Sequence, residues 1–160
     1  MISINANRVV AAPLDEVWDI IANIDNDANY YSGISDIKNI SKDGNKVESE
    51  VTVGFFKHKV RQTIILNPKT SIEVKMDEGP LQRTRITTLN RVDRIKTRIV
   101  VAWSFIPSGV PNFVHAIIKN EISKGTEEAL KKIATELEYT QGIPEAARDS
   151  VSFKDAQFCL

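Results

Sequence analysis

The fold is decided by residues 112–138, which read NFVHAIIKNEISKGTEEALKKIATELE. The apolar residues of this stretch recur at three- and four-residue intervals, as on one face of an α-helix. They are Val114, Ile118, Ile122, Ala129, Ile133 and Leu137. A helix of about seven turns must lie across a whole sheet to cover this face. Gly125, in the middle of the stretch, predicts a close approach or a slight bend there.

The sheet is predicted in the residues before this helix. Between residues 34 and 106, nearly every segment alternates apolar and polar residues, which is typical of half-buried strands. Residues 3–10 show the same alternation and add a first strand. The remaining strands are expected near residues 34–41, 46–54, 57–67, 71–77, 82–90 and 94–106. Polar turns are expected at residues 42–45, 67–70 and 90–93.

Two short helices are predicted between the first strand and the rest of the sheet. Pro13 suits a first helical turn, and Leu14, Val17, Trp18 and Ile21 follow at helical spacing to about residue 22. A second short helix or turn is expected at residues 24–31. The fold class is therefore α+β, with a seven-stranded curved antiparallel sheet wrapped around the long C-terminal helix. We expect one domain over residues 1–141 and a loosely attached tail over residues 142–160.

Composition excludes several classes of protein. The chain has 160 residues, of which 42% are hydrophobic, and this suits one core. Its 21 Lys and Arg balance its 21 Asp and Glu, so no overall field would attract nucleic acid. We expect no nucleic-acid partner, no stable membrane insertion and a cytoplasmic location, because no apolar run approaches the length of a membrane span. The single cysteine, Cys159, cannot form an internal disulfide.

Motifs for common enzyme chemistry are absent from the sequence. The glycines are never closer than ten residues apart, which excludes GxGxxG and Walker A loops. HExxH, CxxC and GxSxG are also missing, and His58 and His115 are the only histidines. The sequence therefore predicts no metal and no cofactor. Acid–base chemistry on a cavity wall is what remains. The side chains available for it are His58, Arg83, Arg85, Glu121, Tyr30 and Tyr31.

No catalytic step is assigned to any of these side chains. Arg83 and Arg85 alternate with Leu81, Thr87 and Leu89 on one face of a predicted strand. One of the two could point inward, although sheet arginines are more often exposed. Residues 83–98 hold six basic residues against one acid, Asp93. A solvated hairpin face explains this strip most simply, and attraction to a phosphate headgroup or an acidic partner is the alternative.

The connections between strands differ at the two ends of the predicted sheet. Successive turns of an antiparallel meander alternate between the ends, which places the polar turns at one end. Residues 54–56, 79–81 and 109–111, which are apolar, lie at the other end, together with Tyr30 and Tyr31. This apolar end predicts a ligand entrance, a docking surface or a closed-over core.

The strand faces next to this end supply the predicted lining. Val60, Gln62 and Ile64 alternate on one strand with His58 and Leu66, and the polar His58 and Gln62 would bond the backbone or orient a ligand. The predicted ligand-binding residues are Tyr30, Tyr31, Phe55, Phe56, His58, Val60, Gln62, Val74, Leu81, Val101, Trp103, Phe105, Phe113, Ile117, Ile118 and Ile122.

Four short stretches carry a resemblance to a known family. They are residues 12–21 (APLDEVWDII), 78–81 (EGPL), 97–99 (TRI) and 129–133 (ALKKI). With the predicted order of elements, residues 2–140 resemble the polyketide cyclase and coenzyme Q-binding branch of the START-like, or SRPBCC, superfamily. The resemblance implies a helix-grip fold with a deep apolar cavity used for lipids, quinones, aromatic polyketides or hormones.

The expected function is to bind or carry a hydrophobic small molecule, such as a lipid, a quinone or a polyketide-like compound. The cavity between sheet and C-terminal helix would hold it. A polyketide cyclase or dehydratase that uses polar cavity residues is one alternative, and a protein-interaction module that docks through its apolar rim is another. Whether the protein is an enzyme stays open, with a non-enzymatic binder favoured. Transient membrane contact is compatible with the sequence, and the oligomeric state is left open.

Overall fold

The computed structural model describes residues 1–31, 34–53, 58–76, 81–107 and 109–140. Its strands form one antiparallel sheet in the order β1-β7-β6-β5-β4-β3-β2. The strands are β1 (Ile2–Val10), β2 (Ile34–Asp43), β3 (Lys46–Val53), β4 (His58–Asn67), β5 (Ser71–Met76), β6 (Leu81–Asp93) and β7 (Lys96–Pro107). Strands 2 to 7 follow one another as a meander, and β1 closes the edge beside β7. The predicted seven-stranded sheet is thereby confirmed.

The helices are those predicted from the sequence. They are α1 (Leu14–Ile21), a 3-10 turn (Ile24–Asn26), α2 (Asp27–Tyr30) and α3 (Asn112–Thr140). Pro13 precedes α1, and its carbonyl accepts hydrogen bonds from the amides of Glu16 and Val17. A proline suits this position because the start of a helix needs no backbone N–H donor. The short helices occupy the chain between β1 and β2. The long helix α3 lies against β1 and α2.

One face of the sheet is the core. On β7 every second side chain is buried, from Thr97 through Ile99, Val101 and Trp103 to Phe105, as the alternation predicts. Residues opposite one another in register share a face, so Ala6 and Ile4 on β1 join Val101 and Trp103. On the other side, Arg85 faces Trp103 and Arg83 faces Phe105. The inner face therefore carries two arginines.

Helix α3 is divided into two halves by its burial. We call residues 126–137 the closed half, because Thr126, Ala129, Leu130, Ile133, Ala134 and Leu137 are buried there. We call residues 112–125 the open half, because none of its side chains is buried. β7 ends at Pro107 and α3 begins at Asn112. The open half therefore starts at the end of the sheet where β7 finishes, which is the apolar end.

The structure corrects one predicted turn and one of the two alternatives predicted for Gly125. The turn expected at residues 90–93 lies at Arg94 and Ile95, because β6 continues to Asp93 through an irregularity in its pairing with β7. The carboxylate of Asp93 accepts the amide of Ile95 at 2.9 Å, a local bond that fixes the tighter turn. Of the two alternatives predicted for Gly125, the close approach is contradicted, since nothing lies within 4 Å of the position that a Cβ would take, and the slight bend stays a prediction.

Candidate functional site

A buried ion pair lies at the centre of the inner face. Arg85 is only 4% exposed, and its Nη2 donates to Asp27 Oδ2 at 2.5 Å. The register opposite Trp103 places Arg85 on the inner face, and the short helix α2 brings Asp27 to it. Two aromatic rings flank the guanidinium, with Tyr31 at 4.3 Å and Trp103 at 5.5 Å from ring centroid to Cζ. These contacts stabilise a charge that burial alone would disfavour.

The electrostatics of Arg85 follow from this pairing. Burial lowers the pKa of Arg85, but the charges and hydrogen bonds of Asp27 and Tyr31 together outweigh burial and hold that pKa above its ordinary value. Burial also raises the pKa of Tyr31, while Arg85 acts in the opposite direction. Arg85 is therefore a permanently charged and neutralised group. Its Nε is buried without a hydrogen-bond partner in the described part of the chain.

Tyr30 connects α2 to the closed half of α3. Its hydroxyl donates to the carboxylate of Glu136, a residue more than a hundred positions away in the chain. Burial raises the pKa of Tyr30, and the hydrogen bond to Glu136 raises it further, so the phenol stays protonated. Together with the Asp27–Arg85 pair, this bond fastens the short helices between sheet and α3.

The cavity beside this cluster is small. Its volume is about 20 Å³. It is lined by Ile21, Asp27, Tyr30, Tyr31, Ile72, Arg85, Thr87, Ile99, Val101, Leu130 and Ile133. A space of this size holds about one water molecule, whereas small-molecule sites occupy roughly 300–1,000 Å³. The region beneath the closed half is therefore packed and has no room for a lipid-sized ligand.

Trp103 marks the boundary between the two halves. Its Nε1 donates to Thr126 Oγ1 at 2.9 Å, and Thr126 Oγ1 in turn donates to the carbonyl of Ile122 at 2.7 Å. The indole also stacks on Phe105 at 5.5 Å and meets the edge of Tyr31 at 6.3 Å. Thr126, the first residue of the closed half, is thus hydrogen-bonded to the sheet at Trp103, which lies opposite Arg85 in the strand register. We call residues that lie opposite one another across the strands a row.

The next row towards the apolar end holds a second arginine, Arg83, whose charge has no carboxylate partner among the described residues. Arg83 faces Phe105 on one side and Met76 on the other, and all three lie on the inner face. Arg83 is half-buried, and its Nε donates to the thioether of Met76 at 3.0 Å, a weak acceptor. Burial lowers the pKa of Arg83 below its ordinary value, and the charge of Arg85 lowers it further. Among the described residues no carboxylate pairs with Arg83.

A second polar group on the same face has an unused acceptor. Gln62 is 2% exposed, and its Nε2 donates to Ser49 Oγ at 2.8 Å. Its Oε1 is buried with no hydrogen-bond partner in the described segments. Buried polar atoms are nearly always bonded, so an unmade bond on the inner face is a feature that a ligand could satisfy.

Most of the predicted lining residues that the structure describes are shielded from solvent. Tyr30, Tyr31, Gln62, Val74, Val101, Trp103 and Phe105 are buried, and Val60, Ile118 and Ile122 are half-buried. Phe113 and Ile117 are not brought to the lining, since they are 73% and 57% exposed. Phe55, Phe56 and the side chains of His58 and Leu81 lie outside the described residues.

The side chains predicted as candidates for catalysis differ in their burial. Glu121 is exposed, so it does not contribute to the inner face. The expectation that sheet arginines are exposed was wrong for Arg85, because Asp27 compensates its charge. It also fails for Arg83, which is half-buried on the inner face. Sequence reasoning missed Asp27, Thr126 and Glu136, whose partners are distant in the chain and leave no local signal.

The chain belongs to the family described as polyketide cyclase / dehydrase and lipid transport, whose sequence model matches residues 1–138. The START-like resemblance is thereby confirmed. No curated protein sequence matches the chain significantly. In the described residues, no group of three or more His, Cys, Asp or Glu could hold a metal ion. No helix in those residues is long and apolar enough to cross a membrane.

Solved structures with the same fold come from several bacteria. The Zhui aromatase/cyclase from Streptomyces sp. R1128 superposes with a TM-score of 0.76 at 15% identity, over 91% of this chain and 97% of its own. A protein from Thermus thermophilus gives 0.73 at 14%, over 87% and 99%. A START superfamily protein from Mycobacterium smegmatis gives 0.68 at 12%, over 86% and 98%. At these identities the likeness concerns the fold.

Proposed function

We propose that this protein binds a hydrophobic small molecule between the open half of α3 and the inner face of the sheet. The observation that carries the proposal is that the arginine charge is compensated in one row of the inner face but, among the described residues, not in the adjacent row. In the row of Arg85 the charge is neutralised, whereas the next row holds an arginine without a carboxylate among the described residues. The buried acceptor of Gln62 is also unused within that part of the chain. These groups are set among apolar residues such as Phe105 and Met76.

The packing of α3 supports the same location. A ligand needs a volume far larger than the cavity of about 20 Å³ beneath the closed half. The open half contributes half-buried aliphatic side chains, Val114, Ile118 and Ile122, and none that is buried. A face of this kind gains stability when an apolar molecule covers it. Membership of a family that includes lipid transport agrees with such a ligand.

The proposal is tested by dye binding and native mass spectrometry. The purified full chain is expected to bind a neutral apolar dye such as Nile red in a one-to-one complex. Ile118→Glu places a charge on the half-buried side of the open half and is expected to weaken binding about tenfold or more. Ile117→Glu, on the neighbouring exposed position, is the matched control and should leave binding unchanged. Equal effects of the two substitutions, or no dye binding, would contradict the proposal.

A second function, cyclisation or dehydration of a polyketide-like substrate, is favoured by the position of Arg83. An inward guanidinium can donate hydrogen bonds to a carbonyl oxygen as negative charge develops on it. The expected outcome is that incubation with a poly-β-ketone thioester yields a cyclised product, and that Arg83→Met lowers kcat. Binding without turnover would leave the carrier function and exclude this one for that substrate.

A further inference from the structure

Among the side chains that the structure describes on the inner face, one positive charge has no negative partner. Arg85 and Arg83 are two residues apart on β6 and share the inner face. Asp27 lies 2.5 Å from Arg85 and compensates its charge. Within the described segments, Asp27 supplies the carboxylate of this cluster. Tyr30 and Tyr31, which lie beside the Asp27–Arg85 pair, stay neutral because burial raises their pKa values. Among the residues that the structure describes, Arg83 therefore lacks a counter-charge.

The surroundings of Arg83 indicate what kind of group would compensate its charge. A guanidinium offers five N–H donors in a planar fork, and a thioether sulphur accepts weakly. Met76 engages the Nε of Arg83. Phe105, fully buried, and Met76, also buried, flank it on the neighbouring strands. A partly desolvated cation between apolar side chains is stabilised when an anion reaches its two terminal nitrogens.

We infer that Arg83 is the binding site for the carboxylate of an apolar ligand, so that the protein prefers amphiphilic monocarboxylic acids to neutral lipids. This inference rests on the proposed function, because the apolar part of the acid would occupy the site under the open half of α3. A carboxylate matches the guanidinium fork in two parallel hydrogen bonds. Its single negative charge balances the one arginine that lacks a counter-charge within the described segments, whereas a doubly charged phosphate monoester would leave a partly buried excess of negative charge.

The position of Arg83 also determines where the apolar part lies. The closed half blocks the way beyond the row of Trp103, because its cavity holds about one water molecule. Continuing the register of β4 and β5, Gln62 lies in the row of Met76 and Arg83. Two strand spacings, roughly 10 Å, separate the backbones of Gln62 and Arg83. The apolar part therefore extends across β5 towards Gln62, whose Oε1 can accept a hydroxyl of the ligand.

Displacement of Nile red from the full-length protein tests the inference, with decanoate, decanol and decyl phosphate as competitors at about pH 8, where the carboxylic acid is ionised. We expect decanoate to compete about tenfold or more better than decanol, and better than decyl phosphate. Arg83→Met, which keeps an apolar chain of similar length, should reduce the ratio of decanoate to decanol to about one. The matched control Arg98→Met removes an exposed arginine of the adjacent strand and should keep the ratio.

Each other outcome has a defined meaning. Equal competition by decanoate and decanol in the unsubstituted protein would overturn the inference and leave the proposed function standing. Better competition by decyl phosphate would overturn the choice of a carboxylate. If none of the three displaces Nile red, as judged also by native mass spectrometry, the inference fails and the proposed function stands; if Nile red itself does not bind, both fail. Should Arg83→Met not fold by circular dichroism, Arg83→Gln provides the same comparison, and an unchanged ratio there contradicts the role of Arg83.

Discussion

The two halves of α3 belong to one helix, yet they differ in how deeply their side chains are buried. Beneath the closed half, Leu130 and Leu137 are almost fully buried, and the Asp27–Arg85 pair neutralises the central charge. In the open half, aliphatic side chains remain half-buried, and on the sheet, one row nearer the apolar end than Arg85, Arg83 has no carboxylate among the described residues. The difference shows that the buried side chains of α3 are concentrated at one end of the helix, and the binding site that we propose lies at the other end.

Breaking the ion pair should have the largest effect on the closed half. Asp27→Asn leaves the Arg85 charge buried without its counter-charge, and we expect a loss of about 3–5 kcal/mol in the free energy of unfolding. Urea denaturation measures this value. The exposed pair of Lys69 and Asp15, at 3.2 Å, provides the control, since Asp15→Asn should cost less than about 1 kcal/mol.

A companion double substitution separates charge burial from packing. Asp27→Leu combined with Arg85→Met replaces the buried pair with apolar groups, and most of the lost stability should return. An Asp27→Asn variant as stable as Asp15→Asn would show that the closed half does not depend on the pair.

The packing contrast between the halves can be measured by deleting one aliphatic side chain from each. Leu130→Ala creates a cavity in the closed half and should lower the free energy of unfolding by about 3 kcal/mol. Ile118→Ala, in the open half, should cost about 1 kcal/mol, because its side chain is already partly in water. Equal losses in urea denaturation would remove the distinction between the halves.

Tyr30→Phe tests the fastening of α2 to the closed half. Loss of the hydrogen bond to Glu136 should cost about 1 kcal/mol near neutral pH, by thermal or urea denaturation. The pKa of Tyr30 is higher in the folded than in the unfolded protein, so the unfolded chain releases its phenolic proton first. The contribution of Tyr30 to stability should therefore be constant below about pH 10 and fall above it.

This alkaline loss should be smaller in Tyr30→Phe, which has no phenolic proton at that position. Tyr31 also has a raised pKa and contributes its own share in both proteins. Identical pH profiles for the two proteins would show that the bond to Glu136 does not hold the Tyr30 proton.

The smallest effect is expected at the junction of the two halves. Gly125→Ala meets open space, and it should raise the free energy of unfolding by up to about 1 kcal/mol through helix propensity. A loss of stability would indicate that this position needs the freedom of a glycine. Nile red binding, measured in parallel, shows whether the open half depends on that freedom.

Much of the architecture could be read from local patterns. The alternation of β7 predicted its buried residues from Ile99 to Phe105, and the spacing of apolar residues predicted α3. The resemblance to the family was carried by short stretches such as residues 12–21. Such patterns are legible because a strand or a helix repeats its geometry over a few residues.

The candidate site was less accessible to sequence reasoning. Tyr31, Trp103 and Gln62 were predicted at the lining from their positions on strand faces and at the apolar end. The inward orientation of Arg85 was not favoured, because its compensating Asp27 lies 58 residues away. Phe113 was predicted at the lining and is exposed, since helical spacing alone does not say which side of the first turn of α3 meets the sheet.

By itself, the sequence determined the order of elements, the inner and outer faces of the strands and the family, since each depends on short-range periodicity or local motifs. Only the tertiary structure decided which end of the long helix is packed. It joined Asp27 to Arg85 and Tyr30 to Glu136, and it left Arg83 without a carboxylate in the described chain. The physical reason is that compensation of a buried charge depends on distance in space, and pairs far apart in the chain acquire that distance only when the sheet closes on α3.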